Sequence, residues 1–507
     1  MHVTPVHALV AFLAMVVVGE PLFVIIAGLA LLCFVFLDPS NPHAVLEKMT
    51  QVILSFATLA EQDPLIAIPL FTLAGTIMTH GGISARLVAV ARALTRSIPG
   101  GLGMACVGAC TLFAAISGSS AVTIIAIGGL IYPALRKENF TERFSLGLIT
   151  SCGAIGILIP PSLPLIVYGV VASNSVADGK LKPQIDDLFR AGLIPSLLSV
   201  IALCVYCFAV ATWQKIPAER FSLRELGVTL RRGAFALLLI VILLGGIYAG
   251  ITTATEASAV ACVYALVVEV FIHREIGAKD LLKIGTETIT LVGVILMVLV
   301  SALALTNFLE IQKIPDAATD RMQWSQVTVK ADLFGEGSPA RIIGEAREEG
   351  ADLLVDVKDP ADWDDFLAKG SKTLRVPKAA VIERSDPLVS TKLGFLVMVN
   401  ILLLVVGSVM DIYSGIVVIA PLIVPMAVAY HVNLVHLGII FVLNLELGLA
   451  HPPLGINLFI AQSYFRKSIL EVTLAAIPFL VLLLGVLAAV TYWEPLSLWL
   501  VHQAAHR

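Results

Sequence analysis

Apolar runs long enough to span a bilayer recur along this chain from one end to the other, and most of the polar residues fall between them. The runs cover about 6–37 (interrupted at Gly19-Glu20-Pro21), 46–60, 64–80, 143–172, 188–212, 234–251, 255–272, 286–310, 435–462 and 472–492. Each is a candidate membrane helix. Two segments, 100–134 and 394–426, do not fit this pattern. As one helix the first would be roughly 50 Å long against a hydrocarbon core of about 30 Å, yet it is too short for two full spans. Its centre holds Ser117, Gly118, Ser119 and Ser120, and no Asp, Glu, Lys or Arg occurs from Ser97 to Leu135. Poor helix formers in the middle of such a run predict a break between two half-helices of roughly 20 Å each.

The polar segments give direction. "ARLVAVARALTR" (85–96), "RKENFTER" (136–143), "KIPAERFSLRELGVTLRR" (215–232) and "HREIGAKDLLK" (273–283) are basic and read as loops on the cytoplasmic face. Two of them flank 100–134, so that segment enters and leaves on one side as a re-entrant hairpin. Irregular backbone at membrane depth needs protein or a water-filled cavity around it. A shift of 292 positions then places Pro133 on Pro425, Gly156 on Gly448, and Pro160-Pro161 on Pro452-Pro453. It places the tip at 117–120 on Val409-Met410-Asp411-Ile412. These coincidences predict an internal repeat with a second hairpin over 394–426. The counterpart of the basic 136–143 loop, "MAVAYHVNLVH" (426–436), has no Lys or Arg, as an inverted repeat requires. Paired interruptions in inverted repeats point to a secondary transporter.

Composition adds the solvent and one exception to it. Hydrophobic residues are 58% of the 507, charged residues 14%, and mean hydropathy is +0.94. That excludes an ordinary soluble protein and makes the lipid bilayer the chain's main partner. The net charge of −4 gives no reason to expect nucleic acid. From Lys313 to Lys392, however, 27 of 80 positions are charged, which marks a hydrophilic insert between two membrane-embedded halves. Within it "VTVKADLFG" (327–335) reads as strand, "PARIIGEAREEGA" (339–351) as helix and "DLLVDV" (352–357) as strand. The seven cysteines lie in apolar runs and read as buried thiols, with no structural disulfide expected.

The expected fold is therefore an all-α polytopic membrane protein built from inverted repeats, with two re-entrant helical hairpins, broken helices and a small hydrophilic α/β insert. Its parts are 1–100 (N-terminal membrane helices and an amphipathic arm), 100–212 (first repeat, with hairpin 100–134 and broken helix 143–172) and 213–312 (scaffold helices). The insert at 313–392, expected outside, and the second repeat at 393–507 follow. That repeat has hairpin 394–426, broken helix 435–462 and a C-terminal helix.

Paired prolines in "GILIPPSLP" (156–164) and "GLAHPPLGIN" (448–457) unwind the two broken helices, each facing its own tip. Carbonyls at helix C-termini suit a hard cation such as Na+, and helix N-termini suit a carboxylate. Asp411 and Glu446 are the only charges between Leu393 and Tyr464. Ionisable groups at such depth are costly and are functional candidates, although an interhelical hydrogen bond serves equally for Glu446. His451 reads as a packing residue or a titrating one. Thr253 and Glu256 have capping-box spacing, and Glu20 sits at a break or an interface. The serines lack a His–Asp arrangement and no zinc motif is present, which disfavours an intramembrane enzyme.

"ISGSSAVT", "AIGILIPPSLPLIVYG", "GGIYAGITTATEASAV", "ALALTNFLEIQKIPD", "MDIYSGIVVIAPLIVP" and "ELGLAHPPLGINLF" together resemble the large membrane subunit of tripartite ATP-independent periplasmic (TRAP) transporters. The resemblance implies an elevator-type, sodium-coupled importer of small organic acids in the bacterial inner membrane, with no cofactor beyond Na+. It implies two partners, a small membrane subunit as a separate chain and a periplasmic substrate-binding protein. The insert is expected to contact one of these. It assigns Ser117, Gly118, Ser119, Ser120, Gly156, Pro160 and Pro161 to one binding site. It assigns Met410, Asp411, Ser414, Gly448, Pro452, Pro453 and Asn457 to the other, with Na+ near Ser117, Ser119 and Asp411. His451 stands where Thr is more usual in the family, and the insert is a departure from it. The alternative is a stand-alone carboxylate or inorganic-ion symporter of related fold.

Overall fold

The computed structural model describes residues 15, 20–37, 50, 63–176, 179–330, 340–349, 352–358, 372–452 and 454–505. Most of the expected span 46–60, most of 6–21 and Pro453 lie outside the described residues. Among these, eight helices are long and apolar enough to cross a membrane, or ten if each of two bent pairs counts as one span; three of the eight, Ser120–Lys137, Lys392–Val409 and Ile412–Ala429, are hairpin arms of 18 residues each, longer than the half-helices of roughly 20 Å expected. Their outward faces are apolar: Ile289, Val241 and Val205 are 74%, 64% and 61% exposed. In water each such side chain would forgo about 1.5–3 kcal/mol of burial, whereas lipid removes the cost. The protein is a multi-pass membrane protein.

The helices follow in order as α1 (Leu22–Leu37), α2 (Asp63–His80), α3 (Ile83–Thr95), α4 (Gly101–Ser117), α5 (Ser120–Lys137), α6 (Glu142–Ile155) and α7 (Leu163–Asn174). Next come α8 (Ile185–Trp213), α9 (Leu223–Tyr248), α10 (Ala254–Leu266) and α11 (Ala278–Ile311). After the insert stand α13 (Lys392–Val409), α14 (Ile412–Ala429), α15 (Leu434–Leu449), α16 (Ile456–Phe465), α17 (Ile469–Tyr492) and α18 (Pro495–Ala505). The shift of 292 holds at the level of helix ends. It carries Ser117 onto Val409, Ser120 onto Ile412, Lys137 onto Ala429 and Glu142 onto Leu434.

The chain divides into two compact units, the first made of 1–308, 400–424 and 433–507. In it, α4 lies among α3, α5, α6 and α8, and α6 packs along α17. Both repeats use glycine to bring backbones together. A Cβ on Gly156 would lie 2.1 Å from the Thr111 carbonyl oxygen, and one on Gly448 would lie 2.5 Å from Gly407 backbone atoms. Each hairpin's first arm is thus pressed against the end of the helix that follows the hairpin.

The segment 85–96, expected as a loop, is mostly the amphipathic helix α3, bent 75° from α2 at Gly81-Gly82. Its leucine, valine and alanine positions repeat at helical spacing, and Leu87, Val90, Ala91 and Ala93 are buried. The four basic segments converge on one face. Arg92 pairs with Glu138 at 3.2 Å and Glu219 at 3.5 Å. Arg96 pairs with Glu219 and Glu225, and Arg86 pairs with Glu275. Thr253 and Glu256 form the expected capping box at the start of α10, and Ser468 with Glu471 forms another at α17.

The second unit comprises 309–399 and 425–432. A short helix α12 (Ile314–Gln323) leads into strands β1 (Ser325–Val329), β2 (Ala340–Glu349), β3 (Asp352–Val357), β4 (Thr373–Pro377) and β5 (Val381–Ser385). They form an antiparallel sheet in the order β4-β3-β2-β1-β5. Val327, Val329, Ile342, Leu353, Val355, Val357, Leu374 and Val376 make its core. The helix expected over 339–351 is instead the central strand β2. Its charges have helical spacing, but Ile342 and Gly344 turn inward with the period of two that a half-buried strand requires. A Cβ on Gly344 would lie 2.1 Å from the Asp356 carbonyl oxygen, so a side chain there would push β3 away.

Candidate functional site: two helix breaks that meet

The first tip is two residues wide. α4 ends at Ser117, and Gly118 turns the chain with φ of +62° while its N–H bonds the Ala114 carbonyl at 2.9 Å. A side chain in this left-handed region would be strained, which glycine avoids. Ser119 is extended and caps α5, its hydroxyl accepting loosely from the Val122 N–H at 3.4 Å. Thr123 donates to the Ser119 carbonyl at 2.8 Å. Ser117, Gly118 and Ser119 are partly exposed, while Ser120 is buried.

The second tip solves the same turn with a charge. Met410 ends the turn after α13, and the Asp411 carboxylate caps α14. Its Oδ2 accepts from the Tyr413 and Ser414 N–H groups at 3.0 and 3.2 Å, and its Oδ1 accepts from the Ser414 hydroxyl. A carboxylate has about four lone-pair positions, so these three bonds leave about one free, on Oδ1. Capping alone accounts for an Asp at this place.

At the tips, two hydrogen bonds join the repeats. The Tyr413 hydroxyl donates to the Gly118 carbonyl at 3.0 Å, tip to tip. The Ser120 hydroxyl donates to Oδ1 of the fully buried Asn457 at 2.8 Å. Asn457 opens α16, so the first tip reaches the break of the second repeat as well as its own. Its own break lies close too: a Cβ on Gly118 would sit 3.0 Å from the Leu163 side chain. There α6 tightens into a 3-10 turn over Gly156–Leu158, Pro160-Pro161 is cis, and Ser162 caps α7. The second break runs from Ala450 to Gly455, with the Gly455 N–H bonded to the His451 carbonyl at 3.0 Å.

The helix ends give the site its electrostatics. α5, α7, α14 and α16 start here and point partial positive charge inward, while α4, α6, α13 and α15 end here with free carbonyls. Serine hydroxyls, carbonyls and one carboxylate make an oxygen-only donor set, which suits a hard cation. Tyr413 was not singled out by sequence reasoning. Its only signal is being the one phenol beside a tip, and its partner lies 295 residues away. Glu446 is 6% exposed and one of its oxygens has no partner. Glu20 is exposed at the start of α1, and His451 is half-buried.

Residues 9–496 match the family model described as "Tripartite ATP-independent periplasmic transporter, DctM component". The chain is 32% identical over 497 residues to the C4-dicarboxylate TRAP transporter large permease protein DctM of Rhodobacter capsulatus, covering 96% of both. It is 30% identical to the isethionate TRAP transporter permease protein DctMQ of Oleidesulfovibrio alaskensis, covering 97% of this chain and 65% of that one. Among solved structures, the YdaH transporter of Alcanivorax borkumensis superposes with a TM-score of 0.59 at 14% identity, over 94% of this chain and 99% of that one.

Proposed function

The chain belongs to the DctM component family of tripartite ATP-independent periplasmic transporters, and from that premise we propose that it carries a small organic acid inward across the bacterial inner membrane on a sodium gradient. The observation that carries this reading is the meeting of two equivalent helix breaks through Tyr413–Gly118 and Ser120–Asn457. The acid's carboxylate takes the N-terminal ends of α5 and α14. Sodium takes the hydroxyls of Ser117 and Ser119, the free carbonyls of α4 and α13, and the one remaining Oδ1 position of Asp411. With no Lys or Arg in either hairpin tip, the anion relies on helix dipoles and co-bound sodium.

Relatives named for a C4-dicarboxylate and for isethionate support an acid as the substrate class. A small membrane subunit, supplied as a separate chain, completes the membrane part of the carrier. A periplasmic binding protein delivers the substrate, and the two repeats move the site in elevator fashion. α11 starts beside the converging basic segments, so the insert that follows it faces the periplasm, where it meets the binding protein or the small subunit. Protease added to intact spheroplasts should cut within 313–392; full protection would overturn that placement.

The function is tested in proteoliposomes containing the chain and its small subunit. Uptake of a labelled C4-dicarboxylate should require both an inward sodium gradient and the binding protein. Uptake with sodium but without the binding protein would favour a stand-alone symporter, and uptake without a sodium gradient would end the coupling proposal.

A further inference from the structure

A cavity of about 20 Å3 is bounded by α6, α8, α15 and α17 and is lined by none of the tip residues, though its lining reaches Ile155 and Ala450 at the edges of the two breaks. Only three of its lining residues have polar side chains: Ser151 on α6, Ser199 on α8 and Glu446 on α15. The 292-residue shift carries Ser151 onto Leu443 and Ala154 onto Glu446, and all four line this one space. The cavity therefore sits where equivalent turns of the two repeats face each other. One repeat contributes a hydroxyl and the other a carboxylate.

Glu446 is 6% exposed and Ser151 is 3% exposed, and Oε1 of the first and Oγ of the second are both buried without a hydrogen-bond partner. The Ser199 hydroxyl donates to the Pro195 carbonyl at 3.0 Å, which leaves its lone pairs free. No basic side chain lines the space. The Leu158 N–H bonds the Glu446 carboxylate, so the group lacks a partner at Oε1 alone, and a buried oxygen left without one is costly. A proton shared with a neighbouring hydroxyl would satisfy both groups by a direct bond. These two oxygens instead border a common space without bonding each other. That space is about the size of one water molecule, large enough for a dehydrated small ion and too small for an organic acid.

We propose that Glu446, Ser151 and Ser199 form a sodium site at the interface between the repeats, separate from the tips. A single carboxylate balances a single charge, and an all-oxygen donor set suits a hard ion. The site adds to the tip sites proposed above and does not rest on them, because it requires only sodium binding and not transport.

The test is equilibrium binding of radioactive sodium to the full chain with its small membrane subunit, using N-methylglucamine as the replacement cation. Glu446→Gln, which preserves shape and removes charge, should bind one sodium fewer per chain than the wild type. Ser151→Ala should weaken one sodium by about tenfold. Asp411→Ala, a tip variant, should leave this sodium in place, so failure at the tips and failure here are read separately. Sodium number and affinity unchanged in both Glu446→Gln and Ser151→Ala would overturn the proposal. So would wild-type protein that releases a proton from Glu446 without taking up sodium there. Should Glu446→Gln fail to fold, Ser151→Ala carries the decision alone.

Discussion

The two tips occupy matching places and are made of different chemistry. The first is neutral: a left-handed glycine turns the chain, a serine caps the next helix through a loose 3.4 Å bond, and hydroxyls and carbonyls remain accessible. The second is anionic, and most of its carboxylate's capacity goes to starting α14. The repeat thus conserves where the helices stop and leaves free how the stop is made. A cation at the second tip has a full charge to balance it, whereas one at the first relies on the partial charge of a helix end, about half an elementary charge at most.

If the first tip depends on backbone shape, Gly118→Val should do the greatest damage. A β-branched residue at φ +62° costs at least about 1–2 kcal/mol in strain, and its Cβ would press on Leu163. Sodium-driven uptake should fall below detection while the protein still inserts; near-normal uptake would show that this turn tolerates side chains.

The second tip is separated into cap and charge by a pair of variants. Asp411→Asn keeps a capping oxygen and should melt within a few degrees of wild type, yet lose at least about tenfold in uptake, equivalent to about 1.4 kcal/mol. Asp411→Ala should lose uptake and also about 1 kcal/mol of stability. Full activity in Asp411→Asn would reduce this residue to a cap and erase the contrast between the tips. Ser120→Ala comes next. It strands Oδ1 of Asn457 and should cost about 1–3 kcal/mol, read as a lower melting temperature. Smallest is Tyr413→Phe, which removes one hydroxyl bond worth about 0.5–1.5 kcal/mol. It should raise the sodium concentration needed for half-maximal uptake without abolishing transport.

The helix breaks were legible because they rest on local chemistry. Glycine, serine and paired proline oppose helix wherever they stand, and a bilayer of fixed thickness turns their position into a length argument. The capping box at Thr253–Glu256 was legible for the same reason. What could not be read is what depends on partners far along the chain. Ser120 and Asn457 are 337 residues apart, and neither indicates the other. The strand over Ala340–Glu349 misled because its local spacing of charges suits a helix, while pairing with strands on both sides decides the outcome. Asp411 was read from its rarity as a functional charge; the capping geometry adds a structural reason for its presence that rarity could not reveal.

The phenol of Tyr413 has a mechanical meaning. As the bolt between the tips it makes them one latch instead of two: neither turn can slide without breaking that contact or dragging the other with it. If the tips bind as proposed, an occupant on one side would be felt on the other, and the strength of a single hydroxyl contact, about 0.5–1.5 kcal/mol, would limit what this route transmits to roughly a two- to tenfold change in affinity. In the carrier proposed above, such a link would be strong enough to discourage a half-loaded site from moving and weak enough to let go on every cycle.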